Sequence, residues 1–301
     1  MVFHTLFKNI FTDISIELKK NDLCEESCDL VNESGDNVKR IDLECEKIFI
    51  KHLEQNSLNI IGYISEETKE LTFFENYKIN SIKKTYIATF DPLDGSSNYT
   101  SNINTGSIYG IYEYSASENK LIDIVDSGYC LYGIKCIMVY TFENTVLMRD
   151  IYNSKNVPRV IHFNNIKEKN KIYSINSSND YNPEIKYIIQ QYNKNNYSMR
   201  WVGTMVADAH RILMNDGIFY YPVTKKQPTG KIRMLYESIP FAYIFEKAGG
   251  VGLNENFRNI TERVSSFDIT NPHISSSIIL ASNLEYEQLK TYLELHELYK
   301  F

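Results

Sequence analysis

The segment DPLDGSSN, residues 91–98, follows directly on Tyr86–Phe90, a run that predicts a β-strand. Two carboxylates, Asp91 and Asp94, therefore stand where that strand should end. Pro92 stiffens the turn between them, so both side chains can converge on one point. Asp-Pro alone would indicate only a turn, but chance assembly of the whole string is improbable. The segment predicts a strand whose end holds a hard divalent cation, because such cations take oxygen ligands.

The same segment offers two further kinds of ligand. The Leu93 carbonyl is a neutral oxygen that can join the two carboxylates. Gly95, Ser96 and Ser97 supply backbone N–H groups and hydroxyls, the usual means by which the start of a helix holds an anion. A phosphate cradle beside paired carboxylates is what metal-assisted phosphoryl transfer requires.

Two more acidic clusters accompany this segment. Glu66 and Glu67 follow the predicted strand Leu58–Ile64, and Glu237 precedes a predicted helix at Pro240–Ala248. Taken alone, Glu66-Glu67 would be interpreted as a solvated loop. Their position after a strand, like that of the first cluster, favours a shared metal site.

Helices and strands alternate along the chain. A helix near the N-terminus would present Phe7, Ile10, Phe11, Ile14 and Leu18 on one face. A second helix is predicted at about Asp36–Gln55, with Ser34 or Asp36 as its cap and an apolar stripe of Ile41, Cys45, Ile48, Phe49 and Leu53. A later helix, Met205–Met214, is closed by Gly217, and the Pro240 helix is closed by Gly249-Gly250. Further strands are predicted at Tyr109–Tyr112 and Lys135–Phe142, and the alternation implies stacked α/β layers.

Composition limits the partners. The chain has 301 residues and a net charge of −6, which argues against nucleic acid or an anionic membrane as the main partner. Five cysteines without a paired CxxC motif indicate free thiols in a reducing compartment. No stretch approaches the ~18 apolar residues needed to span a bilayer, so we expect a cytoplasmic protein. We place a boundary near residue 165, in the linker candidate Asn164–Asn170, which gives units 1–165 and 166–301.

The chain resembles class I fructose-1,6-bisphosphatases, members of the lithium-sensitive, magnesium-dependent phosphatase superfamily. The resemblance covers roughly residues 35–250. Besides DPLDGSSN it rests on SEE, GDNVKRID, TGSIYGIY, SGYCLYG, KIYSIN, WVGTMVADAHR, GIFYYP, GKIRMLYE and PFAYIFEKAGG. It implies an α/β/α/β/α sandwich with mixed sheets. It also implies hydrolysis of the 1-phosphate of fructose 1,6-bisphosphate in gluconeogenesis, by a water that metal ions activate. The first unit would carry the metal-binding and allosteric-type part and the second the sugar-phosphate-binding part.

The resemblance assigns roles to individual residues. The implied metal ligands are Glu66, Glu67, Asp91, Asp94, Glu237 and the Leu93 carbonyl, for two or three Mg²⁺ per subunit, with Mn²⁺ or Zn²⁺ as substitutes. Glu67, Asp42 and Asp91 are the implied catalytic residues, and Asp42 acts with Glu67 on the water. Gly95, Ser96 and Ser97 are the implied contacts to the 1-phosphate, and Lys231 would contact the sugar and the distal phosphate. Arg233 would lie near the metals and pair with Asp36. The distal phosphate would also be bound by Asn176, Tyr221 and Arg200. In the family that last arginine comes from a neighbouring subunit, which implies a homodimer or homotetramer.

The chain also departs from the family pattern. Trp201 and Asn179 stand where the distal pocket has tyrosines, so sedoheptulose 1,7-bisphosphate, alone or beside the fructose sugar, is an alternative substrate. At the regulatory AMP site, Thr85 and Glu113 replace basic residues, so we expect weak or absent AMP inhibition. A catalytically inactive sugar-phosphate sensor is a further alternative from a different class.

Overall fold

The computed structural model describes residues 3–20, 27–31, 37–75, 77, 84–153, 157–163, 171–176, 178 and 180–298. The linker candidate Asn164–Asn170, the proposed caps Ser34 and Asp36, and Asn179 lie outside the described residues. The helices are α1 (Phe3–Lys20), α2 (Arg40–Glu54), α3 (Ser96–Tyr99), α4 (Pro183–Lys194), α5 (Met205–Asn215), α6 (Ile239–Lys247) and α7 (Asn283–Leu298). A π-helical turn at Met234–Ser238 leads into α6, and a 3-10 helix spans Thr261–Ser266.

The strands are β1 (Ser27–Val31), β2 (Asn37–Lys39), β3 (Ile60–Ser65), β4 (Thr72–Phe73), β5 (Thr85–Asp94), β6 (Thr105–Ser115), β7 (Lys120–Tyr132), β8 (Cys136–Phe142), β9 (Thr145–Asp150), β10 (Arg159–Ile161), β11 (Ile172–Ile175), β12 (Ser198–Met199), β13 (Ile218–Tyr221), β14 (Ile232–Arg233), β15 (Gly250–Leu253), β16 (Ser275–Ser276) and β17 (Ile278–Ser282). Among the described residues, thirteen of these strands form an eight-stranded sheet, β10-β9-β8-β7-β6-β5-β3-β4, and a five-stranded sheet, β12-β11-β13-β17-β15. The other four form two small two-stranded sheets, β1-β2 and β14-β16. Both larger sheets are mixed: β3 is parallel to β5, and β11 is parallel to β12 and β13, whereas the other neighbours are antiparallel.

The helices and the two larger sheets stack as five layers, α/β/α/β/α, as the family resemblance implied. Helices α1 and α2 cover the outer face of the large sheet, α5 and α6 lie between the sheets, and α4 and α7 cover the outer face of the small sheet. Aromatic stacking holds α1 and α2 on the large sheet. The ring of Phe7 in α1 lies on that of Tyr109, with centroids 3.5 Å apart, and the ring of Phe49 in α2 lies on that of Phe90, with centroids 4.3 Å apart. Each such fully buried ring contributes about 1.5–3 kcal/mol of hydrophobic stabilisation.

The N-terminal helices follow the predicted apolar pattern. Phe7, Ile10, Phe11 and Ile14 of α1 are fully buried. The predicted start of the second helix is wrong, because Asn37–Lys39 forms β2, which pairs with β1. Helix α2 therefore begins at Arg40 after Lys39, whose φ of −97° and ψ of 152° are extended.

The strand before the DPLDGSSN segment is longer than predicted. β5 continues through the aspartates, with Asp91 opposite Ile108 and Asp94 opposite Gly106, and the register shifts between these two pairs. This bulge inserts one extra residue on β5, which bends the strand end and changes the direction of its side chains. The two carboxylates are thus held by sheet backbone as well as by the Pro92 turn.

The structure also describes three of the cysteines and the apolar character of the helices. Cys45, Cys130 and Cys136 are buried, and none of the three forms a disulfide within the described residues. Within the described ranges, no helix combines the length and the apolar character that crossing a bilayer would take.

Candidate active site

A cavity of about 420 Å³ opens where β3 and β5 end, between the large sheet and the β14 region. Its wall contains most of the residues predicted to act in the site, namely Asp42, Glu66, Glu67, Asp91, Leu93, Asp94, Gly95, Ser96, Ser97, Trp201, Tyr221, Lys231, Arg233 and Glu237. Residues from positions 42 to 237 therefore meet in one place. Asn176 and Arg200 are not part of this wall.

Three carboxylates form the centre of the cavity. One oxygen each of Asp91, Asp94 and Glu237 lies within 4.8 Å of the others, close enough for all three to ligate metal. Each carboxylate is also fixed by a backbone N–H group, because Asp91 Oδ1 accepts from Leu93 N at 2.9 Å and Asp94 Oδ2 accepts from Val206 N at 2.6 Å. Glu237 Oε2 accepts from Arg233 N at 2.6 Å, across the π-helical turn.

The turn after β3 supplies the next two carboxylates, Glu66 and Glu67. Ser65 N donates to Thr68 Oγ1 at 2.9 Å, and Thr68 Oγ1 donates to Ser65 O at 3.2 Å, so the turn is closed on itself. Glu66 N also donates to Phe90 O at 3.2 Å, which fastens the turn to β5. The parallel pairing of β3 with β5 thus brings the two acidic clusters to the same sheet edge.

Burial and mutual repulsion raise the pKa values of this cluster. Burial, followed by the charge of Asp42, raises the pKa of Glu66 to about 7, and burial raises the pKa of Asp94 to about 6. The pKa values of Asp91 and Glu237 are raised well above their usual range by burial and then by the neighbouring carboxylates, Glu66 first among them. Carboxylates packed this closely stay ionised when a nearby cation offsets their mutual repulsion. The donor set, all oxygen, therefore fits a hard divalent cation such as Mg²⁺.

The Gly95-Ser96-Ser97 turn lies beside the carboxylates. Gly95 has a φ of +76°, and a Cβ there would lie 1.9 Å from Thr204 Cγ2, so both backbone conformation and space require glycine. Ser96 begins the single turn α3 directly after it. Lys39, which sequence reasoning missed, donates from Nζ to Ser96 O at 2.6 Å and so fixes the cradle from the α2 side. The GDNVKRID motif contains Lys39, but nothing in its spacing indicates this contact.

Aromatic and basic side chains also line the cavity. Trp201 stacks on Phe219, with centroids 6.5 Å apart and planes within 5°, and its centroid lies 6.2 Å from that of Tyr221. Asn176 hydrogen-bonds the Tyr221 hydroxyl, so it is connected to the cavity wall through Tyr221. Lys231 is exposed at the rim.

The two predicted arginines differ in position. Arg233 lines the cavity, and its Nη1 donates to His273 O at 2.9 Å and to Ser275 Oγ at 2.7 Å. Its predicted partner Asp36 lies outside the described residues. Arg200 is exposed, and its Nη1 donates to Met199 O at 3.0 Å.

Asp208 is a second residue that sequence reasoning missed. It is fully buried, and its carboxylate accepts from Val202 N at 2.9 Å and from Gly203 N at 2.9 Å. These bonds hold the loop that leads into α5, whose N-terminal Val206 N–H contacts Asp94. The WVGTMVADAHR motif contains this aspartate, but a buried acid that binds backbone has no signature in spacing alone.

Comparisons with known proteins place this site in a family. Residues 2–153 match the family model described as the N-terminal domain of fructose-1-6-bisphosphatase, and residues 166–294 match the model of its C-terminal domain. The chain belongs to the fructose-1,6-bisphosphatase family. The resemblance noted in the sequence is thereby confirmed, and membership of this family implies dependence on a divalent metal.

Relatives agree along most of the chain. Cytosolic fructose-1,6-bisphosphatase of Oryza sativa subsp. indica is 33% identical over 277 residues, covering 86% of this chain and 78% of the relative. The corresponding protein of Spinacia oleracea is 34% identical over the same shares. Among solved structures, holo fructose-1,6-bisphosphatase of Leishmania major superposes with a TM-score of 0.82 at 27% identity, covering 97% of this chain and 93% of that one. The apo form of the same enzyme gives a TM-score of 0.76.

Proposed function

We propose that the protein hydrolyses the 1-phosphate of fructose 1,6-bisphosphate, giving fructose 6-phosphate and inorganic phosphate. The observation that carries the proposal is one cavity whose wall holds a buried carboxylate cluster, a Gly-Ser-Ser turn and the side chains of Lys231, Arg233 and Tyr221. A sugar with two phosphates needs a metal site for one phosphate and cationic or hydroxyl donors for the other, and this wall offers both. The cytosolic relatives support the same activity and a cytoplasmic location.

In this proposal Mg²⁺ is held by Glu66, Glu67, Asp91, Asp94, Glu237 and the Leu93 carbonyl, with two or three ions per subunit and Mn²⁺ or Zn²⁺ as substitutes. Bound there, the metal neutralises charge that develops on the phosphoryl group and lowers the pKa of the attacking water. Glu67 and Asp42 orient that water and take its proton. Gly95, Ser96 and Ser97 hold the 1-phosphate through N–H groups and hydroxyls.

The distal phosphate would be held by Lys231, Tyr221 and Asn176. Trp201 replaces the family tyrosine with an indole N–H, which donates a hydrogen bond as a phenol does but from a larger ring. Arg200 would serve the site of a neighbouring subunit, in a homodimer or homotetramer. Its exposure on one subunit is compatible with that role. We also propose units 1–165 and 166–301 for the metal-binding and sugar-phosphate-binding halves.

The substrate is tested by phosphate release from fructose 1,6-bisphosphate and from sedoheptulose 1,7-bisphosphate, each with Mg²⁺ and with chelator. We expect Mg²⁺-dependent release, with the higher kcat/KM for the fructose sugar. A higher kcat/KM for the sedoheptulose sugar would favour the alternative that the Trp201 substitution suggests. No release from either sugar would refute the phosphatase assignment and favour a sugar-phosphate sensor.

The role of Glu67 is tested by Glu67→Gln, with Glu70→Gln as the matched control. Both glutamates lie in the segment after β3, but Glu70 is exposed and does not line the cavity. Loss of a proton-accepting carboxylate should lower kcat by about 10²–10⁴-fold, and the control should keep wild-type kcat. Equal activity of Glu67→Gln and wild type would contradict the mechanism.

A further inference from the structure

His273 joins two of the segments that carry the site's carboxylates. It precedes β16, and each of its two ring nitrogens makes one hydrogen bond. Nε2 lies 2.8 Å from Thr68 O, in the turn after β3, and Nδ1 lies 2.9 Å from the Tyr236 hydroxyl, in the π-helical turn. The two partners are 168 residues apart in sequence, so the imidazole bridges distant parts of the chain.

The partners determine which ring nitrogen carries the proton. A backbone carbonyl only accepts, so Nε2–H must donate to Thr68 O. In the neutral ring Nδ1 is then an acceptor, and the Tyr236 hydroxyl donates to it. The neutral tautomer with its proton on Nε2 therefore satisfies both hydrogen bonds.

Each partner is adjacent to a metal-ligand candidate. Thr68 follows Glu67 directly and closes its turn through two hydrogen bonds with Ser65. Tyr236 precedes Glu237 directly and is fully buried. The charges of Glu66 and Glu237 both add to the effect of burial in raising the pKa of the Tyr236 hydroxyl, so this group lies beside the cluster.

The backbone of His273 is attached to the same site. Its carbonyl accepts from Arg233 Nη1 at 2.9 Å, and Arg233 N donates to Glu237 Oε2 at 2.6 Å. Next along the chain, Ile274 O accepts from Met234 N at 2.8 Å, which aligns this segment with the start of the π-helical turn. The position of the imidazole is therefore set by the segment that presents Glu237, while its Nε2 reaches to the segment that presents Glu66 and Glu67.

We propose that His273 is a positioning residue that sets the separation between the Glu66–Glu67 turn and Glu237, and thereby the affinity of the site for its divalent cations. The inference rests on the proposed function for the identity of the site as catalytic. It does not need His273 to contact substrate or metal. Loss of groups that orient metal ligands costs about 10–100-fold in metal affinity or activity.

The test is direct Mn²⁺ binding to the full chain, measured by titration calorimetry or by the electron paramagnetic resonance of free Mn²⁺, without substrate. We expect His273→Ala to weaken Mn²⁺ binding about tenfold or more, with a parallel rise in the Mg²⁺ concentration for half-maximal activity. His273→Gln can keep the donor to Thr68 O and His273→Asn an acceptor for Tyr236, so each should recover part of the affinity.

His210→Ala is the matched control. His210 also pairs with a tyrosine, since its Nδ1 lies 2.8 Å from the Tyr129 hydroxyl, but this pair joins α5 to β7 and lies outside the cavity wall. The control should lower the unfolding temperature and leave Mn²⁺ affinity within twofold of wild type. An unchanged Mn²⁺ affinity in folded His273→Ala, or an equal loss in both alanine variants, would overturn the proposal. Weakened Mn²⁺ binding in a protein that hydrolyses neither sugar would refute the proposed function alone and leave the positioning role supported.

Discussion

Removal of the Asp94 charge should stabilise the metal-free protein at alkaline pH. Burial raises the pKa of Asp94 from 3.8 to about 6. A raised carboxyl pKa means that the folded state holds its proton more tightly than the unfolded state, so stability falls as pH rises through this window. The cost is absent below the unfolded value and complete above the folded one.

The magnitude follows from that shift. A difference of about two pH units at about 1.36 kcal/mol each gives a cost of about 3 kcal/mol at pH 8. At pH 5 the same linkage gives about half that amount, since the titration is then incomplete. Asp94→Asn removes the charge and keeps an oxygen that can accept from Val206 N, so the variant should be more stable than wild type by these amounts.

The assay is urea unfolding followed by circular dichroism, in chelator, at pH 5 and pH 8. Only the difference between variant and wild type is compared, so that groups outside the carboxylate cluster, which titrate alike in both, cancel. Within the cluster, loss of the Asp94 charge also relieves the repulsion that raises the pKa values of Glu66, Asp91 and Glu237, which adds to the stabilisation of the variant. Asp123→Asn, at an exposed position on β7, should change the free energy of unfolding by less than about 0.5 kcal/mol at either pH. Saturating Mg²⁺ should reverse the order, since the metal stabilises wild type and loses a ligand in the variant. A metal-free Asp94→Asn protein that is less stable than wild type at pH 8 would refute the reasoning.

Three further substitutions or additions have definite expected outcomes. Gly95→Ala should cost at least about 1–2 kcal/mol in free energy of unfolding, from its left-handed backbone alone, and more from the clash with Thr204; urea denaturation checks this. Trp201→Ala should raise KM about tenfold and leave kcat within threefold, because the proposed role of the ring is to bind the distal phosphate and not the reacting one; steady-state kinetics with both sugars decide it. AMP at up to about 1 mM should leave activity within twofold of its value without AMP. Glu113 stands where the family has a basic residue that binds the AMP phosphate, and its carboxylate also accepts from Lys84 Nζ at 2.5 Å, so a negative charge replaces a positive one. Cooperative inhibition at micromolar AMP would contradict this.

Much of the fold and of the carboxylate cluster could be predicted because both depend on local patterns. The apolar faces of α1 and α2 repeat with helical period, and the aspartates are only three residues apart next to a strand. The helix boundary at Arg40 was missed because β2 pairs with β1, and such pairing depends on a neighbouring segment rather than on the helix sequence. The end of β5 was missed for the same reason, since pairing with β6 carries the strand through Pro92 to Asp94.

The residues that sequence reasoning missed in the site share a physical property: they act on backbone atoms. Lys39 binds Ser96 O, Asp208 binds Val202 N and Gly203 N, and none of these partners is distinguishable by side-chain type. A motif shows which side chains stand near one another in sequence, but a backbone carbonyl or amide is present at nearly every position. Only the fold determines which one is within reach, so such contacts become visible with the structure and not before it.

The placement of the site between the two sheets explains why these backbone contacts matter for metal binding. Asp91 and Asp94 belong to the large sheet, whereas Glu237 comes from the turn before α6, in the layer between the sheets. These three close carboxylates repel one another, so without a cation the cluster favours separation of these layers. The hydrogen bond from Val206 N to Asp94 opposes that separation, because it attaches β5 of the large sheet to the start of α5 in the middle layer. The bond from Arg233 N to Glu237 fixes the orientation of the Glu237 side chain within its own turn. The affinity for the metal is then set by how firmly the layers are held before it arrives, since only a preformed set of ligands avoids the cost of ordering them on binding.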